Sequence, residues 1–271
     1  MRIETFKNAA TRLGAASLFI VLLTAAHGTS AEIPRTPDGK PNLSGIWQTI
    51  GSAHWDLEPH MAKAGPVVEL GAVGAIPGGL GVVEGGKIPY KPEALKQKQE
   101  NAANWLEQDP VVKCYLPGVP RATYLPHPFQ IVQGPEATLI TYEFAGADRI
   151  VYVNKPDMEA PVESWMGHNR GHWDGDTLVI RVTDQMAETW FDSAGNYHSA
   201  ALEVEERYIP TSANTIMYEA TITDPEIFTR PWKISMPLYR RLDNNMQLLD
   251  FKCVEFVEEL LYGHLRKGAE Q

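Results

Sequence analysis

The stretch Gly167-His168-Asn169-Arg170-Gly171-His172-Trp173-Asp174-Gly175-Asp176-Thr177-Leu178-Val179-Ile180 decides the fold class. Asp174-Gly175 supplies the positive φ angles that a tight hairpin turn needs. The residues on either side predict two paired strands, His168–Trp173 and Thr177–Thr183. Working outward, the same grammar recurs. Ala201–Ile209 and Thr215–Thr223 are joined by Pro210 to Asn214, and Lys233–Arg241 and Leu248–Phe256 by Asp243-Asn244-Asn245. Upstream, Phe129–Gln133, Thr138–Phe144 and Arg149–Asn154 are short β-rich runs, and Asn42–Gln48 reads as a first strand. Roughly ten strands at short spacing, with no βαβ alternation, predict an all-antiparallel sandwich or barrel. One helix is expected over Pro92–Gln108, with proline in its first turn and Asp109-Pro110 ending it. Gly65–Gly86 is glycine-rich and follows neither period, which predicts an extended loop lying over the domain.

The front of the chain reads as a leader. Arg2, Lys7 and Arg12 form a positive region, Ala15 to Ala26 is a short apolar run, and Thr29-Ser30-Ala31 offers small residues for cleavage before Glu32. The apolar run is shorter than the ~20 residues that span a bilayer. Residues 1–31 are therefore expected to be a signal peptide and residues 32–271 one exported domain, periplasmic or extracellular, with no membrane attachment after the leader is removed. The full chain of 271 residues carries a net charge of −10. Without the leader's three cations and Glu4, 21 basic residues face 33 acidic ones, a balance of −12. No basic run remains, which argues against nucleic-acid partners. An even pair of cysteines, Cys114 and Cys253, favours one disulfide in an exported protein, two buried thiols being the alternative.

Alternation sorts the strand faces. Leu178, Ile180 and Val182 share one face, Leu202, Val204 and Tyr208 another, and Ile216, Tyr218, Ala220 and Ile222 a third. Glu203, Glu205, Arg207 and Glu219 lie on the opposite faces. They either meet water or line a partly polar barrel interior.

Much of the chain resembles a widespread group of secreted bacterial proteins with a Gly-His-x-x-Gly-x-Trp-x-Gly-Asp-Thr-Leu-Val signature, here Gly167–Val179. The likeness extends to Asp38–Trp47, Cys114–Arg121, Thr189–Asp192, His198-Ser199, Glu205–Arg207 and Thr223–Pro225. That group carries no assigned chemistry, so no catalytic residue comes with it. Gly45-Ile46-Trp47 and Trp173–Leu178 are also similar to lipocalin and fatty-acid-binding barrels. This likeness implies an antiparallel, calycin-like β-barrel with one helix and a Gly-rich loop, its end plugged by Trp47.

Candidate chemistry centres on the histidines. His168 and His172 are four apart, which on a helix would serve one metal. On a strand the same spacing separates them by roughly 13 Å at about 3.3 Å per residue, so no metal is expected from this pair. His168 is the candidate acid/base, with Glu143 or Asp192 as the carboxylate that would orient it. His127, Trp173, Trp190, His198, Arg207 and Trp232 are candidate ligand contacts, the tryptophans offering flat apolar area. No nucleophile elbow, phosphate loop or dinucleotide fingerprint is present. The leading expectation is a cofactor-free protein that binds a small hydrophobic or aromatic molecule in a barrel cavity. A cofactor-free lyase, isomerase or hydrolase using His168 is the alternative, and a structural envelope protein without a pocket is a third.

Overall fold

The computed structural model describes residues 32–155, 158–251, 253, 254 and 263–265. The expected leader lies outside the described residues. Among them, nine strands close into a barrel in chain order. These are β1 (Gly45–Gln48), β2 (Phe129–Gln133), β3 (Ala137–Tyr142), β4 (Asp148–Val153), β5 (His168–Asp174), β6 (Thr177–Thr183), β7 (Glu203–Ser212), β8 (Thr215–Thr223) and β9 (Trp232–Arg240). The ring shuts where β9 pairs with β1, Trp47 opposite Arg240 and Gln48 opposite Tyr239.

The barrel is mixed rather than all-antiparallel. β4 and β5 run parallel, with Val151 opposite Asn169 and Val153 opposite Gly171. The connection between them returns the chain to the end where β4 began, and a parallel pair demands such a crossover instead of a hairpin. Two further expectations change. The helix over Pro92–Gln108 breaks at Asn104, giving α1 (Pro92–Ala103) and α2 (Trp105–Gln108), and a short α3 (Arg121–Tyr124) follows. Asn104 turns its side-chain amide back onto the carbonyl of Glu100 (2.9 Å), a local bond that competes with helix continuation. The described part of Leu248–Phe256 forms no strand. It is held by side chains: Cys253 is bonded to Cys114, and Leu249 N–H donates to the Glu143 carboxylate at 2.9 Å.

The face assignments hold. Leu178, Ile180 and Val182 of β6, Leu202, Val204 and Tyr208 on and before β7, and Ile216, Tyr218, Ala220 and Ile222 of β8 are all buried, as is Val179 on the other face of β6. Burying each large aliphatic side chain stabilises the fold by about 1.5–3 kcal/mol. Trp47 is buried, donates its indole N–H to the Leu43 carbonyl (2.8 Å) and lies under the Arg240 guanidinium, 4.3 Å from the ring centre.

Because β1 is short, the chain leaves the wall after Gln48. The other half of β9 is bonded instead by the end of the glycine-rich segment. Ser235 N–H donates to Val82 O (3.0 Å) and Glu84 N–H to Lys233 O (2.8 Å). A seam therefore opens between β9 and the departing chain.

Candidate functional site

A cleft of about 480 Å³ lies at this seam. Thr49–Ala53 form one side, the strap Pro77–Val82 another, and Met236 and Pro237 of β9 the back. Ala53 and Met236 are buried, whereas Ile50 and Leu80 stand at the rim 82% and 96% exposed. The polar groups are few: Thr49, Ser52 and Asp56. The Ser52 hydroxyl donates to Gly78 O at 3.3 Å and so tethers strap to wall.

Glycines allow the strap to lie this close. A Cβ at position 79 would stand 2.1 Å from Ser52 Oγ and 2.8 Å from His60 Cε1. Gly81 adopts φ +77°, and a Cβ there would meet Pro59 N at 2.6 Å. Paired backbone bonds between His60 and Gly79 (2.9 Å each) hold the strap on the segment that follows β1.

The barrel interior carries a polar cluster of its own. Arg149 of β4 makes a two-pronged pair with Glu206 of β7, at 2.5 and 2.9 Å. Arg149 also donates to Asn169 Oδ1 and to the Tyr208 hydroxyl, both at 2.9 Å, and the Tyr218 hydroxyl donates to Glu206 at 2.7 Å. Burial disfavours the guanidinium's charge, but Glu206 beside it more than restores it and raises its pKa well above the ordinary value. Burial, followed by the Glu206 charge, raises Tyr208 and Tyr218 well above the phenol range. The centre of the barrel at this level is filled by these groups. The lumen expected to hold a guest is therefore occupied by side chains at this level.

The expected site residues do not converge. His168 is half-buried, and its Nε2 faces the Met158 carbonyl at 3.0 Å. Glu143 pairs loosely with His127 (3.4 Å) and accepts Leu249 N–H. Asp192 is fully buried and accepts from the backbone N–H groups of Leu57, Ala194 and Asn196 and from the Asn196 amide. Burial, then the nearby Asp56 charge, pushes its carboxyl up to about 7. Neither carboxylate is a hydrogen-bond partner of His168, so no acid/base pair forms there.

Of the ligand candidates, His198 and Trp232 both pack on Phe191, at 5.2 and 5.5 Å, next in sequence to Trp190, whereas His127, Trp173 and Arg207 lie elsewhere. Trp190 and Trp232 are buried, Trp232 edge-on to Phe191 and Phe228 at 5.5 and 5.4 Å. His198 is buried, bonded to Thr189 Oγ1 (2.6 Å) and Ser199 O (2.8 Å), and burial lowers its pKa. His127 packs against Phe251 and Phe144 at 4.8 and 5.7 Å. Trp173 lies partly buried with the Lys40 ammonium 5.8 Å from its ring centre. Arg207 points outward and pairs with Asp174 at 2.8 Å. Among the described residues no three His, Cys, Asp or Glu side chains gather to hold a metal ion.

The cleft residues carry no sequence signal beyond glycine density. Glu206 did carry one, because it shares parity with Val204 and Tyr208 on β7. No protein-family model matches this chain, and neither curated proteins nor solved structures yield a match.

Proposed function

We propose that this chain is an exported, calycin-like barrel protein that binds a small, uncharged hydrophobic or aromatic molecule in the seam cleft, with the glycine strap as its cover. The observation that carries the reading is the cleft itself, about 480 Å³ and walled mainly by apolar groups, with aliphatic side chains held in water at its rim. That volume lies in the range of small-molecule sites, and the few polar groups suffice to orient a guest. The disulfide and the secretory look of the first 31 residues support export. The resemblance to secreted bacterial proteins agrees with it.

Fluorescence titration with N-phenyl-1-naphthylamine, an uncharged aromatic probe, tests the reading. Saturable binding is expected, weakened about tenfold in Ile50→Asp and in Leu80→Asp, because a carboxylate in an apolar cleft must be desolvated when the guest enters. Both positions are exposed, so the barrel should fold unchanged. A probe that does not saturate, or one that binds both variants as tightly as the parent, rules the cleft out.

A further inference from the structure

We propose that the outer wall of the barrel carries a second site, which takes a small monocarboxylate with a flat apolar body. The site is a groove of about 500 Å³ over β5 and β6, independent of the seam cleft. Its decisive feature is a pair of arginines. Arg170 of β5 and Arg181 of β6 are register partners, so two guanidinium groups stand side by side on the outer face. Like charges directly opposite one another destabilise a sheet.

Their compensation is unequal. Arg181 Nη2 lies 2.9 and 2.8 Å from the two carboxylate oxygens of Glu203. Among the described residues Arg170 donates to the Met158 carbonyl (3.3 Å) and the Thr183 hydroxyl (2.5 Å), and that hydroxyl in turn donates to Asp184, so the nearest carboxylate is reached only through Thr183. Its Nε–H is buried and meets no partner. Among the described residues Arg170 thus forms no direct ion pair, although it lies at the mouth of a groove in an acidic chain. An entering carboxylate supplies the missing charge and accepts charge-assisted bonds from both guanidinium groups.

The remaining surfaces define the rest of the ligand. The backbone of Gly171 and the side chain of Val179 give an apolar floor, and His172, the register partner of Val179, stands as a planar wall beside it. Such a slot fits a ring. Glu205, the register partner of Arg181, also lines the groove. Its carboxylate repels a second negative charge, so a monoanion is favoured over a phosphate or dicarboxylate.

Calorimetric and NMR titration of the mature protein with benzoate tests this. Saturable binding is expected, with benzamide, the uncharged isostere, binding at least about tenfold more weakly, as for loss of a charged hydrogen bond. Arg170→Gln and Arg181→Gln should each lower benzoate affinity about tenfold. Arg170 also holds the Met158 carbonyl, so Arg181→Gln, which disturbs only an exposed pair, remains informative if Arg170→Gln unfolds. Glu205→Gln should tighten benzoate and let phthalate bind. The proposal falls if benzoate does not saturate, if Arg181→Gln leaves its affinity unchanged, or if Ile50→Asp abolishes it, which would place the anion in the seam cleft.

Discussion

Arg149 and Glu206 are 3% and 0% exposed, and at the scale of single residues they are the most consequential pair in the barrel. Each charge is tolerable inside only because the other faces it with hydrogen bonds on both prongs. Removing one partner leaves the other desolvated and unpaired, which costs about 3–5 kcal/mol in a protein interior. Arg149→Met is expected to lose that much in urea unfolding, since Tyr208 and Tyr218 can donate to Glu206 but cannot neutralise it. The double variant Arg149→Met/Glu206→Leu should recover most of the loss, because an apolar pair of similar volume carries no buried charge. If the double variant is as unstable as the single one, the cluster acts through packing rather than charge. The alternation of β7 places Glu206 among core residues, so half of this pair is legible in the sequence. Its partner lies 57 residues away on β4, and no local pattern announces which cation will meet it.

At the scale of elements, the legible part is what short-range chemistry dictates. The hairpin between β5 and β6, turned at Gly175 with φ +58°, and the buried faces of β6 and β8 follow from turn angles and parity. The illegible part is set by neighbours distant in the chain. The parallel β4–β5 pair depends on a crossover whose path no periodicity encodes, and Asn104 breaks the helix expected to run unbroken from Pro92 to Gln108. The scattering of His168, Glu143 and Asp192 has the same origin, since each finds a partner nearer than one another. The strap shows how local chemistry can set a long-range contact. Gly81 sits at φ +77° against Pro59, so Gly81→Ala introduces both a strained backbone angle and a clash. The expected cost is about 1–3 kcal/mol, read as a lower urea midpoint. Because the strap roofs the seam cleft, N-phenyl-1-naphthylamine affinity should fall in the same variant. Unchanged affinity together with lowered stability would detach the strap from the binding function.

At the scale of the whole molecule, titrating groups held inside the fold give the pH dependence opposite slopes. His54 is held down to about 4, first by burial and then by the positive charges of Arg121, His127 and His60. A folded-state pKa below the unfolded value of 6.5 means that the imidazole contributes stability above 6.5, lost as pH falls towards 4. Asp192 has the reverse sign. Its carboxyl is raised from 3.8 to about 7, so its contribution is complete below 3.8 and lost as pH rises through 7. Shifts of this size correspond to a few kcal/mol each, about 1.4 kcal/mol per unit. Between pH 4 and 6.5 these two contributions oppose one another, and His198, also held below its ordinary value by burial, adds to the His54 side. Single variants separate the contributions. His54→Gln removes one contribution that grows with pH, so relative to the parent its stability should decline as pH rises. Asp192→Asn leaves His54 and His198, so its stability should decline as pH falls. The replaced side chains alter the absolute stability as well, through the Leu57 and Asn196 bonds in the case of Asp192, so the slope and not the level is the diagnostic quantity. Two variants with parallel slopes would mean that neither group titrates in the folded protein as its surroundings dictate.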